Sequence, residues 1–193
     1  MKFRLIFEGE IRPRQKAKLG DIHEIRRQLH PQIKKAWDHE PLLGLKGRWL
    51  KPLDEGSGKN GKLSYARIEE LNGKKYAPLI STHLAAELDI VFLRQQARGQ
   101  LIGEGGDIDN RLKTLFDALR MPSKAEAMQL SPVTVNDEDP LHCLLKDDAL
   151  IHRVNVETDR LLRPGKEFDL LAIINVTVLV TFVSWDTTTL TAN

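Results

Sequence analysis

The 193-residue chain has one cysteine, Cys143. A disulfide framework within the chain is thereby excluded, and a cysteine-built zinc cluster is disfavoured. A reducing, cytoplasmic setting is the expectation. There is no long apolar run either. The longest uncharged stretch, between Asp169 and Asp186, is shorter than the ~20 residues a membrane helix needs. The first ten residues hold no apolar core of signal-peptide length, because Glu8 interrupts them. No membrane partner is expected. A large charge excess is also missing: 29 Lys plus Arg against 27 Asp plus Glu leaves +2. Net charge therefore neither demands nor excludes nucleic acid, and the distribution has to decide.

Several site signatures fail on inspection. Gly103-Glu104-Gly105-Gly106 lacks the third glycine of a dinucleotide loop, where Ile108 stands. Gly61-Lys62 and Gly58-Lys59 lack the Ser or Thr of a P-loop. Asp107-Ile108-Asp109 begins like a calcium loop, but Leu112 occupies the position that needs glycine. The six histidines show no metal-ligand spacing, and no internal repeat is present.

What is present reads as one soluble α+β domain. Hydrophobic residues are 41% and charged residues 29%, a globular balance. Residues 3–12 alternate as a strand that Pro13 closes. A helix is expected from Asp21, with Glu24 completing a capping box, and Pro31 should bend or split it. Residues 54–62 and Gly99 to Gly106 read as loops. Glu87 to Gln95 reads as a central strand buried on both faces. Asp109 to Arg120 reads as a helix whose core face is Leu112, Leu115, Phe116 and Leu119. Residues 122–146 read as an insertion with a short helix at 124–129. Ala149 to Glu157 and the alternating run Ile174, Val176, Val178, Val180, Phe182 read as strands, with a turn at Pro164-Gly165 before the second. The expected fold is a single mixed sheet with a few packed helices, residues 1–193 forming one domain.

One constellation carries chemistry. Asp107 and Asp109 lie two apart in the run Asp107-Ile108-Asp109-Asn110-Arg111-Leu112-Lys113, just ahead of the helix, so both carboxylates point to one side. With Leu112 at zero on the helical wheel, the core face spans about −60° to +40°. Asp109, Lys113 and Asp117 then fall at about 60°, 100° and 140°, a polar stripe along its rim. Two neighbouring carboxylates disfavour each other's ionisation unless a cation sits between them. Mg²⁺ is the usual solution, with phosphate oxygens completing its shell, and Lys113 would offset charge developing on the phosphate. Asp147-Asp148, ahead of a strand, offers a third carboxylate. The plainer alternative is a helix cap at Asp107 or Asp109 and an i, i+4 pair between Lys113 and Asp117.

The pattern Asp107-x-Asp109-Asn110-x-x-Lys113-x-x-x-Asp117-Ala118-Leu119, followed by Asp147-Asp148, resembles the RusA family of Holliday-junction resolvases. The resemblance covers roughly residues 85 to 180. It implies a homodimeric endonuclease, of a kind common in prophages, that cuts four-way DNA junctions in recombination and repair with Mg²⁺ or Mn²⁺. Carried over, the catalytic set is Asp107, Asp109, Lys113 and Asp148, with Asp107, Asp109 and Asp148 on the metal. Asn110, Asp117 and Asp147 would support them. Asp137, Glu138 and Asp139 are alternatives for the third carboxylate. Relative to the family, residues 14–75 are extra, an inserted basic region, and residues 122–146 are a second insertion.

Between Arg12 and Lys35 there are eight basic residues and two acids, Asp21 and Glu24. Arg12, Arg14, Lys16 and Lys18 alternate without helical spacing, as a DNA-contacting loop would. Two rival readings remain: a metal-dependent nuclease acting on other branched or single-stranded nucleic acid, and a DNA-binding protein without cleavage.

Overall fold

The computed structural model describes residues 1–53, 65, 67–94, 108–130, 138–163, 170–185 and 187–191. The expected loops at 54–62 and Gly99 to Gly106, Asp107, Asp137 and the Pro164-Gly165 turn lie outside the described residues.

Strand β1 (Lys2–Gly9) buries Leu5 and Phe7 and turns Arg4, Ile6 and Glu8 outward, the period-2 pattern its sequence carries. Its partner is β7 (Leu170–Val180), antiparallel; β7 pairs antiparallel with β4 (Leu84–Arg94), and β4 pairs parallel with β6 (Ile151–Arg160). The four-stranded order is β1-β7-β4-β6. β4 is interior, as expected, but only one of its faces is fully buried. Leu88, Ile90 and Phe92 point into the core, whereas Val91 and Leu93 stay half-buried. Among the described residues, the helices cover one side of this sheet. Gln32 covers part of the β1 edge by bonding the Ile6 N–H and C=O, and on the face of the sheet Arg153 of β6 reaches across to Glu87 and Asp89 of β4.

A second sheet, of order β2-β3-β5, replaces the single sheet expected. Its strands are β2 (Glu69–Leu71), β3 (Lys74–Ile80) and β5 (Leu141–Leu145). Asn72-Gly73, both at positive φ, turns β2 into β3, the turn chemistry a two-residue hairpin requires. β3 and β5 are parallel and nearly uniformly buried, so neither alternates in sequence. Pro78 also argues against a strand. β2 stops pairing at Tyr76, so Pro78 lies where β3 has an open edge. Residues 122–146 are thus no mere insertion: the short helix at 124–129 is there as α4 (Lys124–Gln129), but β5 is core.

Helix α1 (Leu19–Ala36) begins two residues before Asp21, whose carboxylate accepts the Lys18 N–H at 3.0 Å. It runs unbroken through Pro31, which is exposed. Pro in a helix costs about 3 kcal/mol. Burying Ile22, Ile25, Leu29 and Ile33 returns about 1.5–3 kcal/mol each, so the stripe wins. α1 packs on β1, β5 and the helix α3 (Ile108–Leu119). Trp37, at its end, and Trp49, in α2 (Leu42–Trp49), are fully buried in the same cluster. The segment expected as an inserted basic arm is therefore part of the core over much of its length. α5 (Thr188–Thr191) closes the described chain. No helix among the described residues is long and apolar enough to cross a membrane.

Candidate functional site

The helix α3 presents its polar stripe differently from the expectation. Its buried residues are Arg111, Thr114, Leu115, Ala118 and Leu119, while Leu112 and Phe116 are half-buried. The buried face therefore centres near −90° on the wheel used above, about 130–170° from the three residues of the stripe rather than beside them. Asp109 and Lys113 stand outward, 54% and 61% exposed, with Lys113 Nζ 3.3 Å from Asp109 Oδ2. That i, i+4 pair contributes about 0.2–0.5 kcal/mol.

Asp117 belongs to the same stripe but is only 14% exposed. Arg14 Nε donates to its Oδ2 at 2.7 Å, and Arg120 donates to its Oδ1 at 2.8 and 3.2 Å. Arg120 also grips both oxygens of Glu126 at 2.9 Å, and Glu126 completes the Ser123 capping box of α4. Burial pulls the Arg120 guanidinium down, but Glu126 and Asp117 outweigh it and hold it above its ordinary value. Burial likewise pushes the Glu126 carboxyl up, and Arg120 with the Ser123 N–H brings it below the usual range. Asp117 is thus a structural acid that ties residue 14 to α3 and α4.

The carbonyl end of α3 is closed by Arg26, which is 1% exposed. Its Nη2 donates to Asp117 O at 2.7 Å and its Nε to Arg120 O at 2.9 Å, satisfying carbonyls that the helix leaves without partners. Its Nη1 lies 3.2 Å from His23 Nδ1. Burial, with Arg26 and Lys74 adding to it, pushes the His23 ring down to about 4. A neutral ring accepts that bond.

Asp147 and Asp148 open a 3₁₀ turn (Asp148–Leu150) ahead of β6. The Asp147 carboxylate caps the turn, accepting the Ala149 N–H at 2.9 Å. The Asp148 side chain is exposed and makes no hydrogen bond or ion pair among the described residues. The turn packs against both α3 and β4. Of the alternative third carboxylates, Glu138 is bound to Arg27 at 2.5 Å and Asp139 lies 3.8 Å from Lys75. Both precede β5, whereas Asp148 follows it, at the end where Leu145 meets the end of α3 through Arg120.

The basic segment is largely neutralised within the fold. Arg12 bridges Glu10 and Asp21, at 3.2 and 3.6 Å. Arg14 is held by Asp117, Arg26 is buried, Arg27 faces Glu138 and Glu24, and Lys35 pairs with Asp38. Only Lys16 and Lys18, of the four residues expected on DNA, expose an ammonium without a partner. The segment is docked rather than loose. Arg14 N donates to Asn110 O at 3.0 Å, and buried Arg111 donates to Ile11 O. Asn110 therefore acts here through its backbone, which also accepts from the Thr114 hydroxyl.

No family model, curated protein or solved structure matches this chain. The site has to be judged on its own chemistry.

Among the described residues, no group of three or more His, Cys, Asp or Glu is arranged to hold a metal ion. Asp107, the nearest neighbour Asp109 would need, lies outside them. Of the candidate ligands, Asp109 and Asp148 are described, both exposed carboxylates, the first in the N-terminal turn of α3 and the second on the turn after β5. An all-oxygen set of that kind fits Mg²⁺ rather than a soft metal. Sequence reasoning missed Arg26, Arg120 and Glu126. Their only advance signal was the capping-box spacing from Ser123 to Glu126.

Proposed function

We propose that the chain is a metal-dependent endonuclease that hydrolyses phosphodiester bonds of four-way DNA junctions. The reading rests on one observation above others. Two exposed acids, Asp109 beside Lys113 and the partnerless Asp148, stand on α3 and on the turn packed against it. The resemblance of the Asp107-x-Asp109-Asn110 element to the RusA family supports it. Asp107, Asp109 and Asp148 would hold Mg²⁺, or Mn²⁺ in its place. The ion, when bound, supplies Lewis-acid polarisation of the phosphate and a more acidic water. Lys113 offsets charge on the phosphate oxygens. Asp109 holds Lys113 toward the outer face of α3. Lys16 and Lys18 neutralise phosphates of the bound arm.

A junction needs two cuts, and a twofold homodimer would supply two sites. The uncovered face of the four-stranded sheet is a candidate seam. On it Ile6 is 52% exposed, and Val91, Leu93, Leu171 and Ile173 are half-buried.

The test is a denaturing-gel assay of an end-labelled four-way junction and a linear duplex of the same arms, with Mg²⁺, Mn²⁺ or EDTA. Paired nicks in the junction alone, lost with EDTA and in Asp109→Asn, are expected. Cleavage by Asp109→Asn at the wild-type rate would sink the proposal.

A further inference from the structure

A groove of about 410 Å³ runs beside the acidic turn, between it and the chain that leaves α3. Its floor is apolar, formed in part by Leu71, Met121 and Leu150. Its rim carries Lys124, Lys146 and Asp147. The two lysines differ in how they are held. Lys146 is fixed by Glu69 at 2.5 Å, whereas Lys124 is exposed and has no partner. Asp147 is turned to its own backbone, so its carboxylate is already satisfied. A ligand entering the groove therefore meets an apolar surface with one unspent ammonium, Lys124, at its edge, the lining carboxylates Glu69 and Asp147 being already satisfied by Lys146 and the Ala149 N–H. That is the chemistry of a flat, weakly polar body joined to an anion. The volume lies at the small end of ligand sites, enough for one nucleotide and too small for a base pair.

We propose that this groove binds a single unpaired nucleotide of a nucleic-acid strand. Its base lies on Leu71, Met121 and Leu150, and its phosphate lies against Lys124. The assignment rests on the nuclease reading for its biological strand, because Asp147 and Ala149 of its lining flank Asp148 in the sequence. It adds a substrate requirement to that reading: an unpaired nucleotide next to the cut, as at a branch point, and not a continuous duplex.

Binding tests this without any cleavage. Backbone amides of the ¹⁵N-labelled protein in EDTA would be followed by NMR on adding deoxyadenosine monophosphate, deoxyadenosine or inorganic phosphate. The monophosphate is expected to move the amides of Met121, Ser123, Lys124 and 146–150, saturating at least tenfold below either fragment. Lys124→Glu is expected to weaken it at least tenfold with unchanged Tm, since Lys124 has no partner to lose. Three results would each overturn the proposal: no shifts at those amides, equal binding of phosphate alone, or full binding by Lys124→Glu. Nucleotide binding without junction cleavage would remove the nuclease reading and keep the groove. Junction cleavage without nucleotide binding would do the reverse.

Discussion

Asp117→Asn removes one charge from a nearly enclosed network while leaving the residue's size unchanged. The bond to Arg120 is interior, with both partners about one-sixth exposed or less. A charge-assisted bond of that kind contributes about 1.5–3 kcal/mol. The pair with Arg14 is 45% exposed on the arginine side, so it is screened and adds about 0.2–1 kcal/mol. Together the loss is about 2–4 kcal/mol, and at about 2–4 °C per kcal/mol for a chain of this size Tm falls by roughly 5–15 °C. Arg120 then leans on Glu126 alone. The Glu126 carboxyl is depressed in the fold, so its contribution is complete above the unfolded value of 4.5 and is lost as pH falls toward the folded one. The variant should therefore lose more of its remaining stability on acidification. Thermal unfolding at several pH values measures this, together with a double-mutant cycle between Asp117→Asn and Arg120→Met. A Tm change under about 2 °C, or a coupling near zero, would refute the account of Asp117 as a structural tie.

Three further outcomes follow from the same geometry. Under the proposed function, Asp109→Asn and Asp148→Asn should each abolish junction cleavage while shifting Tm by less than about 2 °C, because both side chains are exposed; comparing gel rates with unfolding curves checks this. The His23 ring titrates at about 4 in the fold against 6.5 when free, so the unfolded chain binds the extra proton and stability falls as pH drops from 6.5 toward 4. The full shift of about 3.4 kcal/mol reduces to about 1–2 kcal/mol because the ring is only partly enclosed, and His23→Gln should flatten Tm against pH across that window. Ile6→Lys should halve the mass seen by sedimentation if the open sheet face is the dimer seam, and an unchanged dimer would exclude that face.

Elements with one buried face were legible from the chain, and elements with two were not. β1, β7 and α3 announce themselves because solvent on one side forces polar residues into a fixed period. β5 reads Leu141-His142-Cys143-Leu144-Leu145, with every residue buried, so no polar residue marks its phase. β3 hides for the same reason, and Pro78 disguises it further. The continuity of α1 was misjudged because a local rule about Pro31 was set against no estimate of the four residues it would strand. At the site, the acids on α3 and at 147–148 were readable from type and spacing. Their surroundings were not. Arg14 and Asp117 are 103 positions apart in sequence, and nothing local says that they meet.

Under the proposed function, that last point changes what the basic segment can do to DNA. Eight cations between Arg12 and Lys35 suggest eight phosphate contacts, but an arginine that already neutralises a carboxylate releases no counterion unless that pair breaks. Breaking Arg14 from Asp117 forfeits the bond that docks the segment on α3. Lys16 and Lys18 forfeit nothing. The dependence of junction affinity on salt separates the two kinds of residue, since each phosphate contact adds about 0.9 to the slope of log K against log salt. Lys16→Ala and Lys18→Ala should each lower that slope by about 0.9, as backbone contacts do. Arg12→Ala should leave it unchanged, because Arg12 is spent on Glu10 and Asp21. Arg14→Ala should weaken binding through the loosened segment without losing a unit of slope. A full unit lost at Arg12 would mean that its ion pairs open on the substrate, and the charges of this fold would then have to be counted on the complex instead of on the free protein.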